Sequence, residues 1–267
     1  MSGSDREILP IRPPEDADDD WIYLRAHVAY DGTDFFGFQI QLHHRTVQGE
    51  IEQALERVTT RPTRVVGAGR TDTGVHAADQ VIAFWARWRH RLEDLERALN
   101  ALLPDDLLLW GVQRAPDDFH PRFSATSRWY RYTIWNGVRP SVFHRRYAWN
   151  HVDRLDEGRM NAAAEALIGR HDFATFGQPP QGENTIRRIF RAQWTREGDL
   201  LHFDIEGDAF LRRMVRNIVG ALVRVGRGEE PPEWVGEILA GRDRSQSAPP
   251  APPCGLCLMR VVYPDGF

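Results

Sequence analysis

Hydrophobic residues in this chain recur at two periods, and the order of those periods restricts the fold more than any other feature. Residues 21–31 alternate, with Ile22, Leu24, Ala26, Val28 and Tyr30 on one face, as a half-buried strand does. Thr46 is placed to cap a helix carrying Val47, Ile51, Ala54, Leu55 and Val58 at 3.6-residue spacing. Strands are expected over 63–68 and 80–85, then a helix through Leu92, Leu95, Leu99, Leu102 and Leu103 that stops at Pro104, then a strand over 107–112. This β-α-β-β-α-β order returns loosely in the second half. A strand over 127–135 precedes a helix that begins at Asp153, runs through Leu155, Ala163 and Leu167, and ends at Gly169. Strands over 187–195 and 200–206 flank Glu197, Gly198 and Asp199 as a hairpin. A helix over 210–225, a short helix opened by Pro231 and Pro232, and a strand over 256–263 complete the pattern, and 245–253 reads as a flexible low-complexity loop.

The pattern predicts an α+β protein of two tandem split β-α-β domains, RRM-like, each an antiparallel sheet with helices on one face. The opposite faces would be open to a ligand, with an RNA cleft between the domains. Pro116, Asp117, Asp118 and Pro121 interrupt the periodicity, giving an N-terminal domain over 21–118 and a C-terminal domain over 119–267. Residues 1–20 hold seven acids and two arginines and read as a disordered acidic tail. Without them, 32 basic residues face 31 acidic ones, so any positive surface must come from local clustering. Every basic residue is arginine, which excludes chemistry that needs a Schiff-base or phosphate-loop lysine. Two cysteines, Cys254 and Cys257, cannot build a disulfide framework. No apolar run approaches the ~18 residues of a membrane span, so the expectation is a soluble, cytoplasmic protein.

Chemistry concentrates at residues 67–76, Gly-Ala-Gly-Arg-Thr-Asp-Thr-Gly-Val-His, between two expected strands. Three glycines let the backbone turn tightly and approach a ligand, while Arg70 and Asp72 project from the loop. A solvated Asx-type turn is the bland reading of such a segment. A phosphate-cradling loop fails because no Gly-Lys-Ser/Thr follows and the next element is a strand. An aspartic-protease dyad fails because there is no second Asp-Thr-Gly and Arg70 would hold both carboxylates ionised. A nucleophilic or electrostatic aspartate in an arginine-lined RNA cleft accounts for the remaining features. Over 210–227 the residues Arg213, Arg216, Gly220, Arg224 and Arg227 form one stripe opposite an apolar one, and residues 209–228 contain no acid. Residues 127–132 interleave aromatics with arginines, placing Arg128, Tyr130 and Tyr132 on one face and Trp129 and Arg131 on the other, a pattern suited to unpaired bases. The ten histidines show no metal-ligand spacing, so no metal is expected.

These residues resemble a known family. Tyr-Asp-Gly-Thr-Asp-Phe-Phe-Gly-Phe-Gln over 30–39, Thr-Val-Gln over 46–48, the 67–76 loop, Asp-Asp-Phe-His over 117–120, Arg-Phe-Ser-Ala over 122–125, Tyr-Arg-Tyr over 130–132 and Met-Val-Arg-Asn over 214–217 occur in the order seen in the tRNA pseudouridine synthase A family. The resemblance implies isomerisation of uridine to pseudouridine at positions 38, 39 and 40 of the tRNA anticodon stem-loop. It implies no cofactor and no metal, and a homodimer in which each tRNA touches both subunits. By match to the family motifs, Asp72 is the catalytic aspartate, Arg216 its arginine partner, Tyr130 the tyrosine that stacks on uracil, and Arg70 the residue that helps displace the target nucleotide. The bottom-up chemistry agrees: a stacked base must leave the helix before its glycosidic bond is remade, and an ionised nucleophile needs a cation beside it. Arg213 and Arg224 are the candidate phosphate contacts. Phe38, Ile40 and Cys257 depart from the family pattern, which commonly carries Trp, Arg and Tyr there.

Overall fold

The computed structural model describes residues 20–179 and 182–266. The expected acidic tail, apart from Asp20, lies outside the described residues. The chain is mixed α+β. In order it forms β1 (Trp21–Tyr30), α1 (Val47–Thr59), β2 (Val66–Gly67), β3 (His76–Arg87), α2 (Leu92–Asn100), β4 (Leu107–Arg114), β5 (Ser127–Trp135), β6 (Trp149–Asn150), α3 (Glu157–Ala164), β7 (Gly169–Asp172), β8 (Ile186–Glu197), β9 (Leu200–Gly207), α4 (Met214–Gly226), α5 (Trp234–Gly241) and β10 (Leu256–Val262). Two compact units divide these elements. One comprises the described residues up to Thr71 with Ala77–Thr126 and the chain from Val261, the other Asp72–His76 with Ser127–Arg260.

In the first unit the strands lie in the order β4-β1-β3-β2, each pair antiparallel. The register puts Val28 opposite both Gln80 and Leu109. Alternation along β1 sends Leu24, Ala26, Val28 and Tyr30 inward, all buried. The Thr46 side chain accepts a hydrogen bond from the Gly49 N–H and starts α1, whose Val47, Ile51 and Leu55 are fully buried. Leu95 and Leu99 do the same for α2, and Asn100 at its end bonds both the N–H and the carbonyl of Leu109 on β4.

The second unit orders its strands β10-β5-β9-β8-β7, with β6 pairing parallel to β5. β8 and β9 form the expected hairpin, turned at Gly198 with φ 61°. Its core gathers Tyr132, Trp194, Phe203, Ile218 and Leu222. Two expectations are corrected here. The third helix starts at Asp156, whose carboxylate caps the Arg159 N–H, and not at Asp153. The helix expected over 210–225 begins only at Met214, because Arg213 takes a left-handed conformation (φ 61°) that ordinary helical backbone does not allow. Within residues 245–253, Ala248 and Ala251 are buried in the core, while Ser245, Gln246, Pro249 and Pro250 are exposed.

On the face of β5 that carries Trp129 and Arg131, both side chains are half-buried and serve a carboxylate beneath them. Asp204 on β9 is buried, accepts from Trp129 Nε1 at 2.8 Å, and is held by Arg131 through Nε and Nη2 at 2.9 Å. Burial alone would raise the Asp204 carboxyl pKa, but the Arg131 guanidinium and the Trp129 N–H outweigh it and hold the group below its usual value. A carboxyl depressed in the fold stabilises it above the unfolded value of ~4 and loses that contribution as the pH falls through the native one. Asp204→Ala should therefore cost roughly 3 kcal/mol at neutral pH. The difference from wild type in urea unfolding should shrink below pH 4, and an undiminished difference there would refute the ion-pair account.

Candidate active site

The 67–76 loop is fixed by different contacts at its two ends. In the first unit, Gly67 lies beneath Phe38 so closely that a Cβ would fall 2.6 Å from the ring. Gln80 Nε2 donates to the Gly69 carbonyl at 2.8 Å, Phe38 N–H donates to the Thr71 carbonyl at 3.1 Å, and the Thr71 and Tyr30 hydroxyls share a 2.8 Å bond. Phe38 is a buried packing residue here, and Arg70 is exposed.

Residues Asp72–His76 belong to the second unit. Val75 N–H donates to the Asp72 carbonyl at 3.1 Å, and the Val75 side chain is buried in that unit's core. The turn between them favours Gly74, because a side chain there would be strained by the φ of +75° and would press on Pro253, 3.1 Å from a would-be Cβ. His76 shares a 3.2 Å contact with the Cys254 carbonyl through Nε2.

Arg216, on the first turn of α4, faces Asp72 with Nη1 3.6 Å from Oδ2. Only 12% of the Arg216 side chain and 28% of the Asp72 side chain are exposed, so the pair is poorly screened by water while the carboxylate stays accessible. Burial lowers the pKa of the guanidinium and the Asp72 charge raises it; an arginine remains protonated throughout. Its aim is set by the chain itself: Arg216 Nε donates to the Ala251 carbonyl at 2.7 Å, and Ala251 N–H returns a bond to the Arg216 carbonyl at 3.0 Å.

Four successive residues therefore hold the site. Ala251 binds Arg216, the Pro252 carbonyl accepts from Tyr132 Oη at 2.8 Å, Pro253 packs on Gly74, and the Cys254 carbonyl meets His76. Sequence reasoning missed this segment because proline and alanine carry no reactive side chain. The available signal was Ala-Pro-Pro over 251–253, since two prolines fix the backbone and leave carbonyls as its polar groups.

Tyr130, on β5, is half-buried with its ring edge-on to Phe210 at 5.0 Å. Burial pushes its pKa up to about 12, Arg128 pulls it down, and the Asp72 charge pushes it up again, so the hydroxyl is neutral at physiological pH. Asp72, Arg216 and Tyr130 are thus gathered in one unit. The expected guanidinium stripe along α4 is not continuous. Arg213 is exposed, but Arg224 pairs with Glu230 at 2.6 Å and Glu229 at 3.4 Å, and Arg227 pairs with Glu229 at 2.9 Å. The acids stand just beyond the acid-free stretch, and the turn after α4 folds them back onto it. Gly220 faces inward, where a Cβ would lie 2.2 Å from the Pro249 carbonyl oxygen.

A family model described as tRNA pseudouridine synthase matches residues 26–124 and 163–264. The chain belongs to this tRNA pseudouridine synthase family. It is 46% identical over 240 residues to the tRNA pseudouridine synthase A of Pseudothermotoga lettingae, covering 89% of this chain and 98% of the relative. It is 45% identical over 246 residues to that of Moorella thermoacetica, covering 90% and 99%, and 43% identical over 244 residues to that of Geobacillus kaustophilus, covering 91% and 95%. Within this family member, the matched stretches include Asp72, Arg216 and the 251–254 segment, whereas Tyr130 lies in the stretch between them. Among the described residues, no helix is long and apolar enough to cross a membrane.

Gly220→Ala tests how the segment holds Arg216. The added methyl meets backbone and must push residues 248–251 outward, which should cost about 1–3 kcal/mol despite alanine's better helix propensity. Turnover on tRNA should fall further than the shift in thermal midpoint explains; a variant as active as wild type would show that Arg216 does not depend on Ala251.

Proposed function

We propose that this chain isomerises uridine to pseudouridine at positions 38, 39 and 40 of the tRNA anticodon stem-loop, with Asp72 as the nucleophile. The observation that carries the reading is the half-exposed Asp72 carboxylate facing a largely buried Arg216 in a member of this family. Arg216 keeps a negative charge tolerable beside RNA phosphates and returns the carboxylate to one geometry after each step. Asp72 attacks the nucleotide at C1′ or at C6 of the ring, and the N1–C1′ bond breaks. The uracil then rotates and C5 bonds to C1′, the bond to Asp72 breaks and frees the carboxylate, the C5 proton leaves and N1 ends protonated. The product is an isomer of the substrate, so the atoms balance with no oxidant, reductant or cofactor.

Tyr130 stacks on the uracil while it is detached. Its neutral hydroxyl suits packing against a base more than proton abstraction, because a phenol with a pKa of about 12 is almost never the anion at pH 7. Arg70 fills the space the flipped nucleotide vacates, and its exposure leaves it able to do so. Arg213 and Arg224 contact phosphate. The recurrence of one strand order, β4-β1-β3-β2 and β10-β5-β9-β8, supports two split β-α-β domains, RRM-like, which the sequence divides as 21–118 and 119–267. The working form is a cytoplasmic homodimer.

Asp72→Asn should abolish tritium release from tRNA labelled at uridine C5 while leaving tRNA affinity and thermal midpoint close to wild type. Residual release by that variant at more than a few per cent would overturn the nucleophile assignment. Arg213→Ala should weaken tRNA binding and reduce the salt slope by about one phosphate contact. Arg224→Ala should do less, since Glu229 and Glu230 already neutralise much of its charge. Equal salt slopes for wild type and Arg213→Ala would remove Arg213 from the interface.

A further inference from the structure

Backbone pairing between β2 and β3 runs out where the 67–76 loop leaves the sheet. Val66 lies opposite Ala83 and Gly67 opposite Ile82, and Ala68 N–H donates to the Val81 carbonyl at 2.9 Å. The next carbonyl along, that of Gly69, is taken by a side chain: Gln80 Nε2 donates to it at 2.8 Å. Gln80 is wholly buried, and its Oε1 accepts the Val81 N–H at 3.2 Å, so the amide is held at both ends. A buried amide is costly unless its bonds are made, whereas leucine would fill an inward strand position without that cost. What the amide achieves and leucine would not is to fix the peptide plane that leads into Arg70.

Arg70 is aimed by its backbone. Its side chain is exposed and, among the described residues, makes no ion pair or hydrogen bond. A long, free side chain of this kind takes its direction from the Cα–Cβ bond, and anchors on either side set that bond. Before Arg70, Gln80 holds the Gly69 carbonyl. After it, the Thr71 carbonyl accepts from Phe38 N–H at 3.1 Å and the Thr71 hydroxyl shares a 2.8 Å bond with that of Tyr30. Gln80, Gly69, Arg70 and Thr71 all belong to the first unit, whereas Asp72–His76 belongs to the second. A shift at Gly69 therefore turns Arg70 and is stopped at Thr71, before it reaches Asp72.

We infer that Gln80 is a positioning residue for extraction of the target nucleotide, acting through the Gly69 carbonyl on Arg70 and not on Asp72. The inference rests on the proposed isomerisation of tRNA uridine, with Arg70 filling the space that the nucleotide vacates. Taking a base out of a paired stem costs more than taking out one that is mismatched. Gln80 thus governs how well the protein handles paired uridines relative to unpaired ones. A residue that supported Asp72 would affect both alike, because the bonds to be broken and made are the same in either setting.

The test measures tritium release from two unmodified tRNA transcripts labelled at uridine C5, which differ only in whether the target uridine of the anticodon stem is paired or mismatched. Wild type is compared with Gln80→Met, Arg70→Ala and the double variant. Gln80→Met keeps the length of the side chain and removes its amide. Its kcat/KM should fall about tenfold further on the paired transcript than on the mismatched one, the scale of one lost hydrogen bond to a buried carbonyl. Adding Gln80→Met to Arg70→Ala should leave the paired-to-mismatched ratio of Arg70→Ala unchanged, since no side chain then remains to be aimed. The ratio is independent of the folded fraction, so a lowered thermal midpoint does not imitate the effect. Should Gln80→Met not fold, Gln80→Asn, whose amide is one methylene too short for Gly69, should give the same ratio. A ratio equal to that of wild type would overturn the inference, whether activity falls equally on both transcripts or on neither. So would a further fall in the ratio when Gln80→Met is added to Arg70→Ala. Wild-type protein that releases tritium from neither transcript would instead overturn the functional reading on which the inference rests.

Discussion

The reciprocal hydrogen bonds between Arg216 and Ala251 are the constraint on which the rest of the site depends. A guanidinium on the first turn of a helix has several rotamers, and only some of them reach Asp72. The Ala251 carbonyl selects one at 2.7 Å, while the return bond from Ala251 N–H fixes the segment to α4. The carboxylate on the other side is fixed by the same stretch of chain, through Pro253 against Gly74 and the Cys254 carbonyl against His76. Cation and anion are therefore positioned by one short piece of backbone, so a displacement of that piece moves both.

Burial strengthens the pairing of this cation with the carboxylate. Removing Arg216 from water strengthens its field at Asp72, and the arginine tolerates burial because its proton is effectively permanent. Asp204 shows the same solution used for structure: a buried carboxylate matched by Arg131 and Trp129, with no surface left for a ligand. The two sites differ in access. Asp204 is enclosed, whereas more than a quarter of the Asp72 side chain meets solvent, and only an accessible carboxylate can react with a substrate.

Surface arginines divide in a similar way. Arg224 and Arg227 looked unopposed when only residues 209–228 were considered, yet Glu229 and Glu230 fold back to neutralise them. Arg213, by contrast, is exposed.

The sequence by itself determined the order of the main strands and helices, though not β6 or β7, since local periodicity, caps such as Thr46 and turns such as Gly198 act within a few residues. It also singled out Asp72 and Arg216, which the fold brings together as a pair, because both sit in motifs of distinctive residue type. Helix starts were less legible where a local conformation overrode the hydrophobic stripe, as at Arg213 with its left-handed backbone. Tertiary structure alone decided which arginines pair with acids, that Trp129 and Arg131 serve a buried carboxylate, and that an apparently featureless Ala-Pro-Pro segment aims Arg216 at Asp72. The physical reason is common to all three. Each depends on backbone carbonyls or charges brought together from distant parts of the chain, and neither carbonyl direction nor long-range proximity leaves a period in the sequence.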